Sequence, residues 1–181
     1  MDDRLIILDR DGVINRDSPA YIKSADEWRP IPGSLEALGR LTRHGYRVAV
    51  ATNQAGLAKG LFDAAALHAM HDKMRRLAAA HGGIIEAVFF CPHGAHDDCP
   101  CRKPRPGLFH QIAAHLGADL AGVPAVGDAL RDIEAARAAG ARPILVRTGK
   151  GRETEQAVTD QDVPVYDDLA AVVDHLLAGG R

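Results

Sequence analysis

Three short polar clusters in this 181-residue chain carry residue types that do chemistry: Asp9-Arg10-Asp11-Gly12, Thr52-Asn53-Gln54 and Gly127-Asp128. The first sets two carboxylates around one residue directly after an apolar run, which crowds negative charge at a buried edge. Such crowding is unfavourable unless a cation or a proton offsets it. Magnesium is the hard cation suited to carboxylate oxygens, and it leaves coordination positions for water and phosphate. In isolation each cluster has an ordinary explanation: acidic residues before glycine make turns, Thr52 can end a strand, and Asp128 can cap a helix. They gain meaning jointly.

A second constellation is the run Cys91-Pro-His93-Gly-Ala-His96-Asp-Asp-Cys99-Pro-Cys101, which holds all three cysteines of the chain. Cysteines packed so closely cannot form a distributed disulfide framework. Cys91, His93, Cys99 and Cys101 supply a C-x-H and a C-x-C pair, a ligand set suited to a closed, structural, tetrahedral zinc. His93 is the preferred fourth ligand, and the spacing leaves a swap with His96 open. Compact Cys/His loops also serve as nucleic-acid-binding knuckles, and Arg102, Lys103 and Arg105 lie beside this one. The formal charge of −2 and the absence of aromatic residues in the loop argue against that reading.

The clusters need a frame that brings them to one edge. Short apolar runs at 5–8, 47–51, 84–90, 123–126 and 143–146 suit strands buried on both faces of a parallel sheet. Between them, helical periodicity covers residues from a Ser34 cap to about 45, then 64–80, 108–116 and 132–139, with a last helix at 169–177. This alternation predicts an α/β fold, a Rossmann-like open parallel sheet with helices on both faces. Ligands of such sheets sit beyond the carboxyl ends of the strands, near the reversal of strand order. All three polar clusters directly follow predicted strands. The polar stretch 148–162 reads as an irregular excursion within the same domain.

Length and composition bound the rest. Residues 1–181 suit one domain, and 46% hydrophobic with 25% charged residues is ordinary for a soluble globular chain. With 22 Lys+Arg against 24 Asp+Glu there is no global basic field, which favours a small-molecule partner over nucleic acid or an anionic membrane. The acidic N-terminus and its short apolar run do not make a signal peptide, and no stretch approaches the length of a membrane span. A cytoplasmic monomer is expected.

The segments LDRDGVIN (8–15), ATNQAG (51–56), CRKPRPG (101–107) and VGDALRDIEAA (126–136) resemble, in order, the four signatures of haloacid dehalogenase superfamily phosphatases. The resemblance implies that Asp9 is a nucleophile that becomes an aspartyl phosphate and that Asp11 is the general acid and base. It implies that Thr52 and Lys103 hold phosphoryl oxygens, and that Asp9, Asp128 and the backbone carbonyl of Asp11 bind magnesium. The chemistry asks for these types: a carboxylate nucleophile splits hydrolysis into two displacements, and a second carboxyl protonates the leaving oxygen, then activates water. A metal and a lysine offset the charge of the transferring group. Asp132 fits either a family partner of this site or an ordinary first-turn acid.

Within the superfamily the resemblance is to the subgroup that removes the C7 phosphate of a heptose 1,7-bisphosphate, with histidinol-phosphate phosphatases as the alternative. That subgroup shares the Cys/His loop and lacks a large cap domain. The resemblance then places Asp17 to Tyr21, Thr52, Asn53, Gln54 and Lys103 around a sugar phosphate, with Arg102 on its distal part. One departure stands out: many relatives carry lysine directly after the magnesium-binding aspartate, where this chain has Ala129.

Overall fold

The computed structural model describes residues 4–158 and 162–179. In chain order the elements are β1 (Arg4–Leu8), α1 (Ser34–Arg43), β2 (Tyr46–Asn53), α2 (Ala64–Ala80), β3 (Ile85–Cys91) and α3 (Gly107–Leu116). They continue with β4 (Pro124–Gly127), α4 (Leu130–Ala138), β5 (Arg142–Val146), α5 (Gly151–Ala157), β6 (Val165–Tyr166) and α6 (Leu169–Leu177). The six strands form one sheet in the order β3-β2-β1-β4-β5-β6, and every pairing is parallel. From β1 the chain builds outward through β2 and β3, then returns past β1 to add β4, β5 and β6. Strand order therefore reverses between β1 and β4, where Ile7 pairs with Ala125 and Leu8 with Val126.

Because successive strand side chains point to opposite faces, β1 feeds two cores. Ile6 and Leu8 join Val48, Val50, Trp28, Leu38, Met70 and Val172 on one side, packed under α1, α2 and α6. Leu5 and Ile7 join Ala49, Ala51, Leu108, Ile112 and Ala136 on the other, under α3 and α4. Burial on both faces is why these strands read as unbroken apolar runs. The bounds of α2 and α6 match the sequence reading, and each has an aspartate cap: Ala66 N donates to Asp63 Oδ1 at 2.8 Å and Ala171 N to Asp168 Oδ1 at 2.9 Å.

Two expectations are corrected, and one strand goes beyond them. Ser34 is not the cap of α1; Gly33 holds that place with φ 84°, and Ser34 Oγ instead donates to the Ile14 carbonyl at 2.7 Å, fastening the helix to the loop after β1. The stretch predicted as irregular contains the seven-residue α5, while its residues 159–161 lie outside the described residues. The two-residue β6 pairs Val165 with Leu145 and Tyr166 with Val146, a strand too short for any periodic signal.

The segments that follow β1 (9–33) and β2 (54–63) carry no inserted sheet or helix. The first is tied down by Lys73 of α2, whose Nζ donates to the carbonyls of Ala25 at 2.6 Å and Trp28 at 2.9 Å. No helix among the described residues is long and apolar enough to cross a membrane.

Leu38, fully buried in α1, tests this packing. Leu38→Ala should cost about 2–5 kcal/mol, whereas Ile84→Ala, at a position 65% exposed, should stay within about 0.5 kcal/mol. Urea unfolding of both variants checks it; equal midpoints would contradict the assignment of α1 to the core.

Candidate active site

Asp9 is the first residue beyond β1 and Asp128 the first beyond β4, so the reversal of strand order sets them side by side. The Asp9 amide donates to the Val126 carbonyl at 2.9 Å, extending the β1–β4 ladder to Asp9 itself. Carboxylate oxygens of Asp9, Asp128 and Asp132 all lie within 4.8 Å of one another, and all three residues are buried. Lys103 Nζ sits among them, 3.0 Å from Asp9 Oδ1 and 2.7 Å from Asp132 Oδ1, and it donates to the Ala51 carbonyl at 2.7 Å. Its three donors are thereby committed, and it lies beneath Asp9 rather than on the wall of the open cleft.

Asp132 is more than a first-turn acid. Its Oδ2 accepts from the amides of Asp128 at 3.2 Å and Ala129 at 3.0 Å, so one carboxylate starts α4, fixes the loop carrying Asp128 and pairs with Lys103. Asp128 Oδ2 accepts from the Lys150 amide at 2.8 Å, while its Oδ1 is buried without a partner. Two glycines make room for this side chain. A Cβ on Gly12 (φ 86°) or on Gly149 (φ 58°) would fall 2.1 Å from Asp128 Oδ2, and both sit at positive φ. Thr148 Oγ1 donates to the Gly12 carbonyl at 2.6 Å and Thr154 Oγ1 to the Asp128 carbonyl at 2.8 Å, locking the loop after β5 to the other two.

The electrostatics follow from burial. Burial and the Asp132 carboxylate, against the pull of Lys103, push Asp9 up to about 6. Burial, then Asp9 and Asp132, push Asp128 up to about 8. Asp132 goes the other way: burial raises it, but Lys103 and Arg131 outweigh that and hold it below the usual carboxylate range. Two reluctant carboxylates, an orphaned oxygen and hard donors only make a site that a small divalent cation fits.

Asp11 stands apart from that cluster. Its Oδ1 accepts from Arg10 Nε at 3.0 Å, Arg10 Nη2 at 2.8 Å and Asn15 Nδ2 at 2.8 Å; its Oδ2 accepts from Gln54 Nε2 at 3.0 Å and Arg10 Nη2 at 3.0 Å. Burial raises its pKa, yet the Arg10 charge and the hydrogen bonds from Asn15, Arg10 and Gln54 win and hold it low. Gln54 Nε2 also donates to Thr52 Oγ1 at 2.9 Å, which aligns Thr52 beside Asp11.

A cleft of about 180 Å³ opens over these groups, lined by Asp9, Asp11, Asp17, Tyr21, Thr52, Asn53, Gln54, Arg102, Arg131 and Lys150 among others. Tyr21 holds a positive φ of 66°, and Lys59 lies 4.9 Å over its ring, so the segments after β1 and β2 meet at the rim. Asn53 lines the cleft but spends its amide elsewhere: its Nδ2 donates to the Lys103 carbonyl at 3.1 Å and its Oδ1 accepts the Lys103 amide at 3.0 Å. Arg102 Nη1 donates to the His93 carbonyl at 3.1 Å, while Arg131 Nε is buried without a partner.

The ligand atoms of Cys91, His93, Cys99 and Cys101 also lie within 4.8 Å of one another. His93 offers Nδ1, at 3.4 Å from Cys91 Sγ and 3.3 Å from Cys101 Sγ, and exposed His96 is not part of the group. Burial and its thiol neighbour Cys101 push Cys91 up to about 12.

The HAD-hydrolase-like family model matches residues 100–172. The chain is 57% identical to the D-glycero-beta-D-manno-heptose-1,7-bisphosphate 7-phosphatase of Bordetella bronchiseptica, over 96% of this chain and 98% of that protein. The chain belongs to this family. The enzyme of the same name from Pseudomonas aeruginosa is 53% identical over 96% of this chain and 97% of its own. The fold agrees: the crystal structure of the B. bronchiseptica D,D-heptose 1,7-bisphosphate phosphatase with magnesium and phosphate superposes with a TM-score of 0.95. It is 55% identical and covers 97% of this chain and 99% of that one.

Sequence reasoning missed Arg131, Lys150 with its TGK turn, and the Arg10–Asp11 pair. The turn was open to discovery, because it follows β5 at the same sheet edge as the other clusters.

One pH dependence follows. For carboxyls raised above their unfolded values, the folded state binds more protons, so stability falls as pH rises from about 4 through the folded values. In chelator-treated protein, melting temperature should fall as pH climbs through the values of about 6 for Asp9 and about 8 for Asp128. A divalent cation should restore more at the alkaline end, and Asp128→Asn should flatten the slope. A melting temperature that rises over that span in the wild type alone, relative to Asp128→Asn, would contradict the cluster.

Proposed function

We propose that this chain removes the C7 phosphate of D-glycero-D-manno-heptose 1,7-bisphosphate, with magnesium, by way of a phosphorylated Asp9. The observation that carries it is the floor of the cleft. Asp9 and Asp128 sit side by side with an unpaired Asp128 oxygen, Lys103 backs Asp9, and Asp11 is set on the wall. The magnesium that binds the B. bronchiseptica relative fits Asp9, Asp128 and the Asp11 carbonyl here; when bound, it offsets the charge of the phosphoryl oxygens and of the carboxylates.

Asp9 Oδ1 is held by the Arg10 amide at 2.8 Å and by Lys103, which leaves Oδ2 to attack phosphorus. The bond from phosphorus to the sugar oxygen breaks, and Asp11 delivers a proton to that oxygen. Water then attacks the aspartyl phosphate, its proton passes to Asp11, and Asp9 is released. Asp11 already accepts from every side in the resting site, the arrangement of a base. To act as acid it takes up a proton and gives up one donor, and Gln54, which lines the cleft, is the one within reach of substrate. Thr52 supports the phosphoryl group from the end of β2, and Lys103 acts through Asp9, which it backs from below.

The second phosphate meets a cationic rim of Arg102, Arg131 and Lys150. Guanidinium forks suit phosphate, and Arg131 in place of a lysine at 129 keeps a cation near the distal end. Histidinol phosphate would instead bring an amine toward these charges.

The Cys91, His93, Cys99 and Cys101 group is read as a structural zinc site. Cys101 precedes Lys103 by two residues, so a metal held there would fix the segment from which Lys103 reaches Asp9.

Asp9→Asn should abolish turnover with the fold retained, and Asp11→Asn should lower it about a hundredfold or more. Kinetics with both phosphates should give higher kcat/KM for heptose 1,7-bisphosphate; a preference for histidinol phosphate would defeat the substrate reading. For the Cys/His loop, elemental analysis should return about one zinc per chain, lost in Cys99→Ser together with activity. Zinc-free protein of full activity would remove the structural metal.

A further inference from the structure

Arg10 is the one charged residue of the DRDG motif that the reaction above leaves unused, and it is fully buried. A buried guanidinium is costly unless its donors are matched. Two of its nitrogens, Nε and Nη2, grip the Asp11 carboxylate, and the third, Nη1, lies 3.2 Å from His71 Nε2. Arginine has donors only, so Nε2 is the acceptor and His71 is neutral, with its proton on Nδ1. Burial and the Arg10 charge both push His71 down, to about 3, which keeps it an acceptor throughout the working range.

His71 belongs to α2, and its neighbours on the buried face, Leu67, Met70 and Met74, are packed into the core with almost no exposure. Asp11, by contrast, lies on a loop past the end of β1. Its other two holders, Asn15 and Gln54, are also loop residues. The Arg10 fork is the link from Asp11 to α2, beside the one Gln54 makes to Thr52 at the end of β2. With no inserted domain after β1 or β2 to close over the cleft, the aim of the acid has to come from below.

We propose that His71 is a positioning residue: as an acceptor fixed in α2 it orients the Arg10 fork, and the fork aims the Asp11 carboxyl at the leaving oxygen. The proposal rests on Asp11 being the acid, so the test uses two substrates that differ in their need for one. The sugar alkoxide of heptose 1,7-bisphosphate requires a proton to depart, whereas p-nitrophenolate departs readily without one.

His71→Phe, which removes the acceptor, should lower kcat on the bisphosphate about a hundredfold, the scale of a misaimed catalytic group, with KM little changed. Turnover of p-nitrophenyl phosphate should fall far less. His71→Gln, which offers an acceptor of similar reach, should recover most of the loss. Arg10→Lys keeps the buried charge but cannot span Asp11 and His71, and it carries the same test should His71→Phe not fold. Equal losses on both substrates, no loss on either, or a Gln variant as impaired as Phe would overturn the role. Asp11→Asn, assayed on the same pair, separates the two levels: selective loss there with none at His71 rejects the positioning role alone. Absence of selectivity in Asp11→Asn removes the acid and the positioning role together.

Discussion

Three buried carboxylates, Asp9, Asp128 and Asp132, crowd around one lysine, Lys103, which contacts Asp9 and Asp132, and that imbalance organises the rest of the molecule. Two unit charges 4 Å apart at an effective dielectric of 20 interact by about 4 kcal/mol, so the cluster is tenable only when protonated or bound to a cation. The parallel sheet brings the carboxylates together because its order reverses between β1 and β4. Gly12 and Gly149 leave the Asp128 carboxylate its place. Asp132, the one member held ionised, is committed to Lys103 and two amides and so cannot swing into the cation's position.

Around that centre the chain uses backbone atoms as much as side chains. The Lys150 amide, the Gly12 carbonyl and the Asp128 carbonyl join the loops after β1, β4 and β5. The Asn53 amide clasps the backbone of Lys103 from the loop end of β2. A Cys/His loop that holds Arg102 through the His93 carbonyl thus borders the floor as well as the rim.

Much of this was legible in the sequence because the strands are buried on both faces and the helices are amphipathic. Asp9, Asp11 and Asp128 could be picked out since each follows a predicted strand. What escaped had physical reasons. The contributions of Thr148 to Lys150 run through an amide and a missing Cβ, which leave no chemical signature in a residue string. Arg10 and His71 lie 61 positions apart, and their meeting depends on how α2 is rotated about its axis. Asn53, read as a substrate contact, lines the cleft and also clasps the backbone of Lys103, a second task spacing alone does not show. The α5 helix and β6 are shorter than the windows in which periodicity can be read.

The two ties of α2 have a consequence for how such an enzyme can change over evolutionary time. His71 reaches toward Asp11 through Arg10, and Lys73, two positions on, holds the carbonyls of Ala25 and Trp28 in the segment that leads from the cleft wall back to the core. One helix is thus the datum for the Asp11 carboxylate and for part of the segment that follows the cleft wall. Sliding it to admit a different sugar would disturb both. The opposite rim hangs on the Cys/His loop, which holds Arg102 through the His93 carbonyl, and on the turn after β5, which holds Asp128 through the Lys150 amide. New substrate preferences should therefore arise by substitution on that rim, with the α2 side inherited nearly unchanged.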